Sequence, residues 1–236
     1  MRPITEGLTM FTGMTVGRVY CIADPDGLTL IDASIAPSGP KIIRQIEASG
    51  RKASDVKRIL ITHAHPDHVG ALPYLKARTG AKVIASAIER PVIEGKSPVP
   101  RTPREKLSGI ARFLVPPNTK LKGTPVDREI GGGDVLSEVM GGLQVLSTPG
   151  HSPDHLSYWH PQRRILFCGD VIFNAPSPAP RLPFSFLTVD MDENKRSVGK
   201  LAGLDVSIVC FGHGEPLTQN AAQIIRDFAR KVGALG

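Results

Sequence analysis

"VKRILITHAHPDH", residues 56–68, decides how the rest of the chain is read. An apolar run, Ile59 to Ile61, leads directly into three histidines and an aspartate, in a chain with only seven histidines. The nearly continuous apolar character predicts a strand buried on both faces. In extended backbone, side chains two apart point the same way. His63 and His65 therefore present two imidazoles on one side as the strand ends. Pro66 stops the strand, and Asp67 and His68 fall at the expected start of the next helix, turned back beside the first pair. This differs from the helical HExxH pattern, whose histidines meet through i,i+4 spacing.

Working outward, short apolar runs alternate with helical patterns. "GRVYCIAD" and "GLTLIDA" predict a hairpin turned at "DPDG". "GPKIIRQIEASG" predicts a helix with Ile42, Ile43 and Ile46 on one face and Gly50 at its end. "DHVGALPYLKARTG" predicts a helix with Leu72, Leu75 and Tyr74 facing inward, in which Pro73 requires a late start or a bend. "AKVIAS" predicts a strand. The second half offers strands at "GGGDVL", "GGLQVLS", "HLSYWH", "RRILFCGD" and "VSIVCFGHG", and helices at "DENKRSVGKLAGL" and "NAAQIIRDFARKVGAL". "GGGD", at 131–134, reads as a tight turn and not a phosphate cradle. Strands first and helices around them, twice, fit an α/β (α+β) sheet-on-sheet core covered by helices, as one domain over residues 1–236. Residues 95–125 interrupt this rhythm as a Pro-rich surface insertion, with Lys96, Arg101, Arg104, Lys106, Arg112, Lys120 and Lys122 against Glu105 alone.

Three later strands also end in potential ligands: "LQVLSTPGH" at His151, "RILFCGD" at Asp170 and "VSIVCFGH" at His213. Each has a glycine just before the ligand, which lets the backbone turn and leaves room beside the site. "THAHPDH", "TPGH", "CGD" and "FGHG", in that order, resemble the metallo-β-lactamase-fold hydrolases over most of the chain, in the lactonase and short glyoxalase II-like branch. The resemblance implies a four-layer αββα sandwich with the site at one edge of the two sheets. It assigns one metal to His63, His65 and His151 and a second to Asp67, His68 and His213, with Asp170 bridging. It also gives Asp67 and Asp170 catalytic roles, Asp67 as a proton carrier to the leaving group. His155 is expected beside the site and off the metal, His160 exposed, and Cys168 a core thiol.

Imidazole and carboxylate suit two divalent ions, zinc first, with iron or manganese as alternatives. Such a pair can activate a bridging hydroxide for attack on a carbonyl. No GxSxG elbow, Walker loop or dinucleotide fingerprint offers another mechanism. Asp170 and the absence of a secretion pattern in "MRPITEGLTMF" speak against antibiotic hydrolysis as the main task and set the cytoplasm as the expected location. Cys21, Cys168 and Cys210 form no CxxC pair, and no run approaches a membrane span. The net charge of +7 sits mostly on the 95–125 segment. With Phe113 its sole aromatic, that segment makes a weak nucleic-acid platform. The expected substrate is a small ester, lactone or thioester. Phe173 stands where many lactonases have a tyrosine, and the apolar 175–187 segment is expected to border the pocket. The rival readings are a mononuclear iron persulfide dioxygenase and a nucleic-acid-processing metallohydrolase that uses the basic insertion.

Overall fold

The computed structural model describes residues 1–103, 105, 107, 109, 110, 113 and 120–235. Most of the helix expected at "REKLSGIARFL" and the following "VPPNT" lie outside the described residues. Two sheets form. The first runs in chain order: β1 (Arg2–Thr5), β2 (Leu8–Met10), β3 (Tyr20–Asp24), β4 (Gly27–Ile31), β5 (Val56–Leu60), β6 (Lys82–Ser86) and β7 (Arg128–Ile130). β1 to β4 pair antiparallel and β4 to β7 parallel. Parallel pairs need crossovers. These carry α1 (Gly39–Ala48), α2 (Pro66–Val69) with α3 (Leu72–Thr79), and α4 (Arg90–Ile93).

The second sheet has β8 (Val135–Leu136), β9 (Leu143–Ser147), β10 (Leu156–His160), β11 (Ile165–Gly169) and β12 (Ile208–Phe211), in the spatial order β12-β11-β10-β9-β8. β12 lies parallel to β11, reached through α5 (Met191–Ala202), and α6 (Ala221–Lys231) follows β12.

Three apolar interfaces produce four layers. Leu28, Leu30, Ile59 and Val83 pack outward against Ile42, Ile43 and Ile46 of α1 and Leu72 and Leu75 of α3. The alternate residues Ile31, Leu60 and Ile84 meet Val145, Leu156, Tyr158, Ile165 and Phe167 of the other sheet. Leu166, Cys168, Val209 and Phe211 face Val198 and Leu201 of α5 and Ile225 and Phe228 of α6. Both faces of the central strands are covered, which explains their unbroken apolar runs. The αββα sandwich expected from the resemblance is the fold. Among the described residues no helix is long and apolar enough to cross a membrane.

The structure corrects two side-chain expectations and divides one helix. The helix expected from Asp67 to Gly80 is two, because Gly70 abuts the Ile35–Ala36 backbone and Pro73, lacking an N–H, sits in the first turn of α3. That late start turns Tyr74 outward, to 38% exposure. His160 is buried: its Nε2 donates to the Met140 carbonyl at 2.8 Å and its Nδ1 accepts from Arg163 N at 3.1 Å, closing the β10–β11 turn. At 131–134 the tight turn forms, with Asp134 N donating to Gly131 O.

Two buried tyrosines stitch the sheets together where the site begins. Tyr20 on β3 donates to the Phe211 carbonyl of β12, and Tyr158 on β10 donates to the Ile61 carbonyl just past β5, each at 2.7 Å. Ile61 and Phe211 lie two residues before His63 and His213. Tyr158→Phe leaves a buried carbonyl without its donor, so urea unfolding is expected to show a loss of about 1–3 kcal/mol at unchanged m-value.

Candidate metal centre

The carboxyl ends of β5, β9, β11 and β12 deliver His63, His151, Asp170 and His213 to one edge of the sandwich. His65 ends the loop after β5, and Asp67 and His68 open α2. His63, His65, His68, His151 and Asp170 are buried, while Asp67 and His213 keep partial exposure. All the residues expected to hold metal meet here.

Asp170 stands between two groups of imidazoles. Its Oδ2 lies 3.3 Å from His151 Nε2 and 3.1 Å from His213 Nε2, and its Oδ1 lies 3.3 Å from His68 Nε2. His63 Nε2 is 3.9 Å from Oδ2. On one side His65 Nδ1 faces His151 Nε2 at 3.0 Å. On the other, Asp67 Oδ2 lies 3.2 Å from His213 Nε2 and 3.9 Å from His68 Nε2. Ligand atoms on a tetrahedral ion with bonds of about 2.0–2.1 Å stand about 3.3 Å apart. Three overlapping groups have ligand atoms close enough to hold a metal ion: His63, His65 and His151; His63, His68 and Asp170; and Asp67, His68 and His213. His63 Nε2, His65 Nε2, His68 Nε2 and Asp170 Oδ1 are buried with no hydrogen-bond partner among the described residues. Orphaned groups packed this closely fit a divalent cation between them.

Hydrogen bonds behind the rings choose their tautomers. Thr62 Oγ1 donates to Asp32, so it accepts from His63 Nδ1–H at 3.0 Å and leaves Nε2 facing inward. His68 Nδ1–H donates to Asp32 Oδ2 at 2.8 Å. Thr188 Oγ1 donates to the Phe184 carbonyl and accepts from His151 Nδ1–H at 3.2 Å. Asp170 N–H donates to His155 Nε2 at 3.0 Å, and His155 Nδ1 lies 3.0 Å from Thr148 Oγ1. Both nitrogens of His155 are therefore engaged, and the ring positions Asp170 from behind. Burial pushes His155 down to about 3, which keeps it a neutral acceptor.

Two acids were not legible as site residues. Asp32 follows β4 as His63 follows β5, and an apolar strand ending in a carboxylate was the available signal. Glu89 is a buried acid that accepts from Ala64 N at 3.1 Å and Asp154 N at 3.3 Å, joining the His63–His65 loop to the His151–His155 loop. A lone glutamate after a strand carries no such signal. Two glycines make room: at Gly212 a Cβ would lie 1.9 Å from Asp170 Oδ1, and Gly169, at φ 51°, would place one 2.4 Å from His155 Nε2. Cys168 is a buried thiol whose burial pushes its pKa up, so it stays protonated and off the ligand set.

Without a cation, protons balance the carboxylates. Burial, then neighbouring imidazoles, hold His63 and His65 well below the usual imidazole range. Burial also opposes charge on His68, but Asp170, Asp32 and Asp67 outweigh it and hold that ring well above. His213 rises to about 9, Asp170 and Asp67 overcoming burial. Burial works against the carboxylates too, yet His213 and His68 hold Asp170 well below its usual range, and His68 and His213 keep Asp67 at about 2.

Two outcomes follow from this balance. His68 and His213 are protonated at neutral pH, and ligation needs them neutral. Metal binding at pH 7 is therefore expected to release about two protons per chain, fewer as pH rises, with affinity increasing in the same direction. Calorimetry in buffers of different ionisation enthalpy reads this, and zero release would contradict the proton balance. Asp32→Asn is expected to weaken metal binding by about 10–100-fold in a chelator competition, because His68 loses its charged partner.

Residues 12–213 match the family model described as the metallo-beta-lactamase superfamily. A probable metallo-hydrolase of Bacillus subtilis, YflN, is 27% identical, with 94% of this chain and 91% of that protein aligned. A hydroxyacylglutathione hydrolase of Bradyrhizobium is 34% identical over 71% of this chain, which spans about half (52%) of that relative. Among solved structures, a mutant metallo-beta-lactamase of Cronobacter sakazakii superposes with a TM-score of 0.69 at 25% identity, covering 98% of this chain and 84% of its own. BJP-1 of Bradyrhizobium japonicum, at 23% identity and a TM-score of 0.68 over 98% and 92% of the two chains, shares the fold. With its ligand cluster at the edge where the two sheets meet, the chain belongs to the metallo-beta-lactamase superfamily and is a metal-dependent hydrolase.

Proposed function

We propose that the chain hydrolyses a small ester, lactone or thioester with two divalent ions, zinc in the first instance. The observation that carries this reading is the Asp170 carboxylate, set between the two ligand groups and opening into a small, largely apolar cavity. That cavity, about 240 Å³, is lined by Val16, Pro66, Arg101, Phe173, Phe184 and Leu187 above His65, Asp67, His151, Asp170 and His213. It falls below the roughly 300–1,000 Å³ of pockets for drug-sized ligands, which favours a short acyl group. The hydrolase relative named for hydroxyacylglutathione supports an acyl substrate.

His63, His65 and His151 would hold one ion and Asp67, His68 and His213 the other, with Asp170 shared. When bound, such ions supply Lewis acidity and an activated water. The protein's own groups do the remainder. Phe173 packs on His213 with ring centroids 4.4 Å apart and on Phe184 at 6.2 Å, so the aromatic wall begins at the ligands themselves. This wall holds the acyl chain and excludes water. Asp67 is ionised at neutral pH and faces the cavity. It enters as a proton acceptor, taking a proton released by the attacking water and returning it to the leaving oxygen or sulfur. Thr188 and Asp32 hold His151 and His68 in the tautomers that direct Nε2 inward.

The test is metal analysis of protein purified without added zinc, followed by a panel of ester, lactone, thioester and persulfide. The expected result is up to two ions per chain and turnover of an acyl substrate without oxygen uptake. Asp170→Ala is expected to lower kcat/KM by more than about 100-fold, beyond the usual range for residues that only support a ligand, with its unfolding transition retained. Full activity in a metal-poor Asp170→Ala protein would overturn the reading. One iron per chain with oxygen consumed on persulfide would replace it with the dioxygenase reading.

A further inference from the structure

We propose that Arg101 anchors a carboxylate on the substrate, so that the acyl compound this site takes is a short, anionic one. The inference rests on the hydrolase reading of the same cavity and narrows its substrate.

Among the described residues lining the cavity, Arg101 is the sole lysine or arginine. Its Nε is buried and has no hydrogen-bond partner among the described residues. A buried donor without an acceptor is destabilising, and its presence beside a ligand cavity points to an acceptor supplied by the ligand. The guanidinium stays charged there, although burial draws its pKa down against the opposing field of Asp67.

The arginine is also placed, not trailing. Val99, two residues earlier, is in the apolar core behind the first sheet. Thr102, one residue later, is buried, with its hydroxyl 2.9 Å from the Ser185 carbonyl and 2.7 Å from the Thr188 carbonyl. The same 184–188 stretch supplies Phe184 and Leu187 to the cavity wall and Thr188 to His151. The chain is thus anchored on one side of Arg101 in the core behind the first sheet and on the other to the roof of the site.

A planar guanidinium matches a carboxylate through two parallel hydrogen bonds, a geometry a lysine cannot offer. The small cavity volume keeps that carboxylate and the scissile carbonyl a short chain apart. A monoester or monothioester of a short dicarboxylic acid has this form. Its hydrolysis adds hydroxyl to the acyl carbon and a proton to the leaving oxygen or sulfur.

The experiment uses the metal-loaded full chain and two phenyl esters of equal length, one of glutaric acid with its far carboxylate free, the other of glutaramic acid with that group an amide. A charge-assisted contact predicts a kcat/KM ratio, anionic over neutral, of about tenfold or more. In Arg101→Met the ratio is expected to fall to near one, and in Arg101→Lys to keep an intermediate value. A wild-type ratio near one, or a ratio unchanged in Arg101→Met, would overturn the proposal. If neither phenyl ester turns over, the hydrolase reading is decided by the lactone and thioester panel, and binding decides the anchor. Glutarate must then bind about tenfold tighter than glutaramate, with the difference lost in Arg101→Met, and equal binding sinks it.

Discussion

One buried carboxylate organises this molecule. The Asp170 carboxylate lies within 3.3 Å of ring nitrogens of His68, His151 and His213, on three separate segments of chain. A carboxylate sealed from water is tolerated only with compensating charge. His68 and His213, both held above the usual imidazole range, favour that compensation, and bound cations would supply it as well. Both solutions demand that the loops after β5, β9, β11 and β12 stay where they are.

The rest of the structure reads as the means of holding those loops. The tyrosine stitches fix the strands just before His63 and His213. Asp190 caps α5 by accepting from Glu193 N at 2.9 Å. From that helix Asn194 donates to the Val171 carbonyl and Ser197 to the Pro149 carbonyl. One helix therefore grips the residue after Asp170 and the residue two before His151. Glu89 joins the first and second ligand loops from below, and His155 receives the Asp170 amide. Each contact is a hydrogen bond to backbone or to a ring nitrogen, which fixes position without lending a ligand of its own.

Much of this was legible in the residues, and unevenly so. The HAHPDH cluster announced itself because its ligands are local, and strand geometry alone puts His63 and His65 on one side. His151, Asp170 and His213 were legible only through the order of their motifs, since each alone is a strand followed by a glycine and a polar residue. The central strands stood out because both faces are covered. β1, β2 and β7 have three or four residues each, too few for a periodicity to register. Tyr74 and His160 were read from sequence position and composition. Their placement depends on where α3 begins and how β10 turns, which are tertiary matters. Asp32 and Glu89 act through contacts that span 36 and 25 residues; the apolar strand before Asp32 was its one local signal, and Glu89 had none.

The dispersal of the ligands along the chain has a bearing on biogenesis. The HAHPDH loop follows β5 of the first sheet and supplies only part of the candidate ligand set. The His151 and Asp170 segments, and last of all His213, close the cage only after the second sheet has docked on the first. A site of this construction would hold metal tightly only in the completed sandwich.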